Sequence, residues 1–443
     1  MAAGIASRGC RVVGVDLDGA RVDLVNAGRA PVFETGLDEL IAANRERLRA
    51  TTEYREAVLE SEVTLVVVPT PSTSSGEFSL RHAAAAFECI GTALAEKVGY
   101  HLVVLVSTVL PGASRRLVSI MEQRSGKTCG ADFGLCYNPQ MIALGSVIRD
   151  FLHPDFTLIG EFDERSGNAL EAALAEILPE RPPMRRMSLE NAELAKIALN
   201  AYVTMKITFA NQLADLCERL PQGDVDAVTA AVGLDARVGA RYLKGALGYG
   251  GPCFPRDNVA LAGIARRLGA PPDLWETTDR LNRSLPSTLM SRLGVAIDEG
   301  TTVAILGLAY KPLSHALDES QAVLLAGDLL RRGARVVAHD PLAARFSRDE
   351  LADLGFTLMS VQECLDIASV VVIASPEPIY AQLDADDFVR PGRSTTVIVD
   401  CWRLLSGKFS NRTDIRYVAL GRSLDDAGND ARLDSLFFDT LER

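Results

Sequence analysis

Two near-continuous apolar runs, VTLVVVPTP (63–71) and HLVVLVSTVLPG (101–112), constrain this chain more than any other feature. Each is strand-length, rich in β-branched residues, and closed by a turn signal. Neither alternates with polar residues, so neither belongs to a sheet with one wet face. Strands apolar on both faces belong to parallel sheets covered by helices on either side. The shorter runs RVVGVD (11–16) and FGLCYNP repeat the theme, and GARVDLVNAG between them reads as a helix closed by Gly28. The last third returns to the same plan. TTVAILGLAYK, ARVVAHDP, ASVVVIAS and TTVIVDCW read as strands, with ESQAVLLAGDLLRRG as a helix ended by Gly333.

Between these halves the pattern changes. Residues 188–219 have helical periodicity and no proline, and Ser188 ahead of Glu190 suits an N-terminal cap. DVDAVTAAVGLD and RDNVALAGIARRLG read as further helices. The expected fold is therefore α/β, with two Rossmann-like parallel-sheet domains joined by a helical central domain containing a long helix. The boundaries are expected at 1–180, 181–297 and 298–443.

Composition narrows the function classes. A formal net charge of −12 over 443 residues argues against a nucleic-acid partner or an anionic membrane surface. No apolar run reaches the ~18 residues of a spanning helix, and no basic region precedes the first apolar stretch as in a signal peptide. The eight cysteines are scattered with no CxxC pair and no metal-ligand spacing, so no metal site is expected and a reducing cytoplasm is the expected compartment.

The stretch GALGYGGPCFPRDN (245–258) holds four glycines, two prolines and Cys253. It reads as a loop of demanding backbone geometry, because glycine and proline disfavour regular elements. Elsewhere polar residues fall at the carboxyl ends of the first-half strands, where open parallel sheets bind ligands. These are Asp16, Thr70, Ser107 with Thr108, and Asn138. Asp16, with Arg21 close behind, suits the acid that holds the adenosine ribose in a dinucleotide fold; a plain surface acid is an equally good reading. Lys196 and Asn200 are one helical turn apart among alanines and leucines, so their face is expected to be covered. A covered lysine can serve as a base or as a donor to an oxyanion.

GYGGPCFPRDN resembles the active-site loop of the UDP-glucose/GDP-mannose dehydrogenase family. ENAELAKIALNAY, VDLDGARVDLVNAGRAPVFETGLDEL, STVLPG, GLAYKP and VDCWRLL resemble the same family, in its order and over nearly the whole chain. The resemblance implies oxidation of a nucleotide sugar's primary alcohol to the carboxylate with two NAD+ in sequence. It implies Cys253 as the nucleophile that captures the aldehyde, and Lys196 and Asn200 as oxyanion donors. Asp257 would orient water and the lysine, and Thr108 would hold a water near the reacting carbon. Asp16, Arg21, Thr70, Ser107 and Thr108 would face NAD. Arg237, Tyr249, Gly250, Lys311 and Arg403 would face the sugar nucleotide, Arg237 across a homodimer interface. The expected substrate is UDP-glucose-like, with dTDP- or GDP-sugars open.

Three departures from the family pattern stand out. The chain begins inside the helix that follows the family's first strand and glycine-rich loop, and the expectation is that the natural start lies upstream. Gln140 and Leu144 stand where family acids fall, and Asp318 stands where many relatives carry an arginine. Two rival readings follow. One is a non-catalytic nucleotide-sugar-binding homologue. The other is a 3-hydroxyacid or 6-phosphogluconate-type dehydrogenase, which needs no thiol at Cys253.

Overall fold

The computed structural model describes residues 1–352, 354–389, 395–409 and 412–441, and the chain divides into two compact units, Met1–Leu199 and Asn200–Arg443. The first unit holds strands β1 (Val12–Val15), β2 (Leu48–Thr51), β3 (Val63–Val66), β4 (His101–Leu105), β5 (Phe133–Tyr137), β6 (Thr157–Glu161) and β7 (Met184–Ser188). The second holds β8 (Thr302–Leu306), β9 (Arg335–His339), β10 (Thr357–Leu358), β11 (Val370–Ile373), β12 (Thr396–Asp400) and β13 (Ile415–Ala419). The helices that bear on the site are α1 (Gly19–Asn26), α2 (Arg81–Glu96), α3 (Ala113–Ser125), α4 (Leu189–Cys217), α5 (Val225–Gly233), α6 (Phe254–Arg267), α7 (Asp273–Arg292) and α8 (Gln321–Arg331).

In the first unit β3, β4 and β5 are parallel, as their apolar runs predict. Every residue of β4 and β5 is buried. Alternate β4 side chains divide between two cores. Val103 and Leu105 face the cluster containing Phe87, Ile90 and Leu117, whereas Leu102 and Val104 face Ile159 and Leu170. α2 supplies Ala83, Ala86, Phe87, Ile90 and Leu94 to the first core, a three-to-four spacing that puts them on one stripe. The sheet is not wholly parallel: β6 pairs antiparallel with β5, and β7 follows β6 in parallel. β1 and β2 form a separate parallel pair.

The second unit carries a six-stranded, all-parallel sheet in the order β10-β9-β8-β11-β12-β13. The chain builds outward from β8 in one direction and then returns to β11 to build in the other, so the switch point lies between β8 and β11. Val303 and Ile305 pack with Leu325 and Leu329 of α8 on one face. Ala304 and Leu306 pack with Leu365, Tyr380 and Phe388 on the other.

α4 continues from one unit into the next over 29 residues. Ser188 caps it as expected, its Oγ accepting from the Asn191 amide at 3.3 Å. The expected loop 245–258 is shorter than its composition suggests. It ends at Cys253, and Pro255, Asp257 and Asn258 already belong to the first turns of α6. Proline is tolerated there because the first-turn N–H groups have no intrahelical acceptor to lose.

One buried group sets an acid limit on the first unit. His101 is fully buried at the start of β4, its Nε2 lies 2.8 Å from Thr64 Oγ1, and a backbone contact with Ser61 only partly offsets its burial. Burial, with the Lys97 and Lys127 ammonium groups adding to it, lowers its pKa to about 4. The unfolded chain, with an ordinary histidine, binds the proton first. Stability is therefore retained above about pH 6.5 and lost as pH falls toward 4, by roughly 3 kcal/mol in all. His101→Gln is expected to flatten the acid limb of a denaturant-midpoint profile between pH 4 and 6.5. An unchanged limb would remove His101 from the explanation.

Candidate active site

In the first unit, the carboxyl ends of β3, β4 and β5 bring Thr70, Ser107, Thr108 and Asn138 to one edge of the sheet. Two of these hydroxyls are spent on the main chain. Ser107 Oγ donates to Val68 O at 2.7 Å and accepts from Val68 N at 2.8 Å, and Thr70 Oγ1 donates to Thr108 O at 2.8 Å. Thr108 is half-buried, and its hydroxyl has no hydrogen-bond partner among the described residues. Ser107 and Thr70 thus shape the loops that present Thr108.

Asp16 follows β1 with its carboxylate half-exposed, 3.6 Å from the Arg21 guanidinium. Its Oδ1 accepts from the Asp18 amide at 2.9 Å, and Asp18 in turn caps α1. An exposed carboxylate held at the end of a parallel strand fits the hydroxyls of an adenosine ribose.

Lys196 is nearly buried on α4, and its Nζ donates to Gln140 O at 2.9 Å. Gln140 Nε2 donates to Asn138 Oδ1 at 2.8 Å, and Asn138 Nδ2 to Leu158 O at 2.8 Å. The ammonium is therefore tied to the end of the sheet through backbone. One turn earlier lies Glu193, a residue the sequence reading passed over. It is fully buried, and its carboxylate accepts from Gly112 N at 2.5 Å and Ser114 N at 2.8 Å, at the start of α3. Burial raises its pKa, and the two amides and the helix N-terminus oppose that rise. Its signal was available: an acid three residues before Lys196, on the same covered face.

In the second unit, Asn200 Nδ2 donates to Asp257 Oδ2 at 2.6 Å, with both groups buried. Asp257 sits in the first turn of α6, and Cys253 is that helix's N-cap, with an exposed thiol. A helix N-terminus carries partial positive charge and favours an anion there. The glycines of the preceding loop have specific causes. Gly251 has φ +85°, and a side chain at Gly250 or Gly251 would run into Glu319 O or the Tyr310 ring. A side chain at Gly248 would meet the Asn282 amide. Close approach is thus needed first for the protein's own loop 308–320, whose Asp318 O accepts from Gly251 N at 2.8 Å.

The expected sugar-nucleotide residues divide. Tyr249 is buried with its ring edge-on to Phe254, and Gly250 follows it under Glu319. Lys311 is half-buried, its Nζ 5.9 Å from the Tyr310 ring centroid. The loop carrying Lys311 holds two non-glycine residues at positive φ, Leu313 at 60° and Glu319 at 48°, the kind of strain that gathers at functional loops. Arg237 is almost wholly exposed and forks onto Asp235. Arg403 is turned inward: Nε and Nη2 bond Asp226 of α5 at 2.6 and 2.9 Å, and Nη1 donates to Leu420 O at 2.8 Å. Among the described residues, no group of three or more His, Cys, Asp and Glu could hold a metal ion.

Three family models match the chain in order: the UDP-glucose/GDP-mannose dehydrogenase NAD-binding domain over residues 1–178, the central domain over 190–284 and the UDP-binding domain over 304–407. The chain belongs to the UDP-glucose/GDP-mannose dehydrogenase family. Among curated relatives, it is 35% identical to the UDP-glucose 6-dehydrogenase AglM of Haloferax volcanii, over 88% of this chain and 90% of that one. It is 32% identical to the GDP-mannose 6-dehydrogenase of Azotobacter vinelandii, over 86% and 90%. Among solved structures, a UDP-glucose dehydrogenase from Pyrobaculum islandicum superposes with a TM-score of 0.84 at 34% identity, covering 95% of this chain and 94% of that one. As a family member the chain is an NAD-dependent nucleotide-sugar 6-dehydrogenase, and its N-terminal domain is the NAD-binding one.

Proposed function

We propose that this dehydrogenase oxidises UDP-glucose to the uronic acid through a covalent intermediate on Cys253. The observation that carries the thiol role is its placement: exposed, at the N-cap of α6, one turn before an Asp257 already bonded to Asn200. The choice of UDP-glucose follows the relatives named for it in Haloferax volcanii and Pyrobaculum islandicum. The thiol is what separates this reading from a one-step hydroxyacid dehydrogenase.

Two NAD+ bound in succession would each accept one hydride; Asp16 would hold the adenosine ribose with Arg21 beside it, and Thr70 and Ser107 fix the loops along that edge. Cys253 thiolate adds to the aldehyde carbonyl, forming a C–S bond and an oxyanion that Lys196 and Asn200 stabilise. Once oxidised, the adduct is a thioester. Water oriented by Asp257 and Asn200 attacks its carbonyl, the C–S bond breaks, and the thiolate leaves with the carboxylate released. A thiolate is a good leaving group for that last step. Thr108 holds a water at the reacting carbon, and Tyr249, Gly250 and Lys311 frame the sugar nucleotide, while Arg403, bonded to Asp226 and Leu420 O, acts only as an internal brace. Gln140 carries an amide where the family acid falls, so the water-activating work rests on Asp257.

The three domains run 1–180, 181–297 and 298–443, and the enzyme works in the cytoplasm, where its free thiols stay reduced. It acts as a homodimer. Tyr202, Phe209 and Leu216 lie seven residues apart on α4, and each is more than half exposed. That makes an apolar stripe on one face of a long helix, suited to a second copy of the same helix. Arg237 then reaches the partner's substrate, its loop steadied by Lys206 of α4, which donates to Val238 O and Gly239 O. Phe209→Asp is expected to halve the mass in solution and abolish turnover. A wild-type monomer that is fully active at micromolar concentration refutes the dimer.

The reading as a whole is tested by mixing the protein with UDP-glucose and excess NAD+. Two NADH and one UDP-glucuronate per sugar are expected. One NADH per sugar, or none, would overturn it.

A further inference from the structure

Tyr249 is held at both ends of its peptide by one side chain. Its N–H donates to Asn282 Oδ1 at 2.8 Å, and its C=O accepts from Asn282 Nδ2 at 2.9 Å. Gln321 Nε2 at the start of α8 adds a bond to the same carbonyl at 3.2 Å. Asn282 is buried in the middle of α7, in phase with the buried Thr278, Leu285 and Leu289. A polar residue on an apolar helical stripe must have its partners supplied, and here the loop backbone supplies both. The Asn282 amide also fills the space a side chain at Gly248 would need. Beyond Tyr249, three residues lead to Cys253. From the other side, Asn258 of α6 donates to Thr204 Oγ1 at 2.8 Å and to the Tyr249 hydroxyl at 3.4 Å.

We propose that Asn282 is a positioning residue for catalysis: it clamps the Tyr249 peptide and so fixes where the Cys253 thiol meets the aldehyde. The inference rests on Cys253 being the nucleophile. A rigid helix is a better anchor than the glycine loop itself, whose backbone has no side-chain barriers to moving. Displacing a nucleophile by about 1 Å costs on the order of a hundredfold in rate. The first oxidation, alcohol to aldehyde, makes no use of the thiol, so loosening the clamp penalises the second oxidation more than the first.

The test compares Asn282→Ala and Asn282→Asp with the unaltered enzyme, using UDP-glucose, NAD+ and hydroxylamine to trap free aldehyde. Asn282→Asp keeps the acceptor for Tyr249 N–H and loses the donor, so it reports on a milder perturbation. The expected result for Asn282→Ala is a fall in NADH per sugar from two toward one, with trapped aldehyde rising. The KM for UDP-glucose should stay within a few-fold. Without substrate, the rate of Cys253 alkylation by iodoacetamide should shift several-fold, and Asn282→Asp should fall between. If both oxidations slow equally, in step with a lowered melting temperature, Asn282 is only structural and the proposal fails. Wild-type partition and alkylation rates also overturn it. If instead Cys253→Ser still turns over steadily with two NADH per sugar, it is the nucleophile assignment that has failed.

Discussion

Cys253→Ser is expected to abolish steady turnover, by at least about a thousandfold, or roughly 4 kcal/mol of transition-state stabilisation. The argument concerns the leaving group. Serine can add to an aldehyde, but its ester releases an alkoxide far less readily than a thioester releases a thiolate. A serine variant should therefore reach the ester and stall there, with at most about two NADH per active site after a burst. Nothing in the fold opposes the exchange: Cys253 is exposed at a helix N-cap, where serine is a favoured residue. Loss of activity with an unchanged melting temperature is thus a chemical result. Rapid-mix absorbance of NADH would show the stalled burst. Full turnover with two NADH per sugar would exclude Cys253 as nucleophile.

The parts legible in the sequence were those fixed by local composition. β3 and β4 declared themselves through apolar runs, and the loop before Cys253 through its glycines. Pairing across long separations was not legible. The family resemblance puts Arg403 at the sugar nucleotide, yet its guanidinium is buried against Asp226, 177 residues away in the chain. The antiparallel pairing of β6 with β5 left no mark either, because residues 157–160 are buried as β4 and β5 are, and burial carries no sign of strand direction. Pro255 misled for a physical reason: at the second position of a helix it does no harm, and composition alone cannot tell that place from a loop.

Two acids show how far strand-end patterns can be trusted. RVVGVD and ARVVAHD both end a strand of an α/β domain in an aspartate. Asp16 stays half-exposed and available to a ligand. Asp340 is buried, and its Oδ2 accepts from Leu308 N and Ala309 N at 2.8 and 3.0 Å. It closes the loop after β8 upon itself, where a dinucleotide domain would leave an acid for ribose. The asymmetry accords with NAD belonging to the N-terminal domain, and it arises from tertiary contacts invisible in either stretch of sequence.

Lys196→Ala carries the second large expected effect, a fall in kcat of about 10²–10³, or roughly 3–4 kcal/mol, as for the loss of one oxyanion donor. The ammonium is well placed for such a role because its surroundings are fixed beforehand. Glu193, one turn away on α4, is bonded to the first amides of α3, and Gln140 O, which accepts from Lys196, is continuous with the buried Asn138. A donor that needs no reorganisation acts on the transition state more than on the bound sugar. The KM for UDP-glucose should therefore change only a few-fold while kcat collapses. Lys196→Arg should not rescue, since a planar guanidinium cannot occupy the site of a compact ammonium that donates to the Gln140 carbonyl and lies 3.4 Å from the Met141 sulfur. The slowed step is visible in single turnovers, where the Cys253 thioester would accumulate and could be trapped by acid quench and mass measurement. A loss carried entirely by KM, with kcat intact, would place Lys196 in substrate binding and remove it from the chemistry.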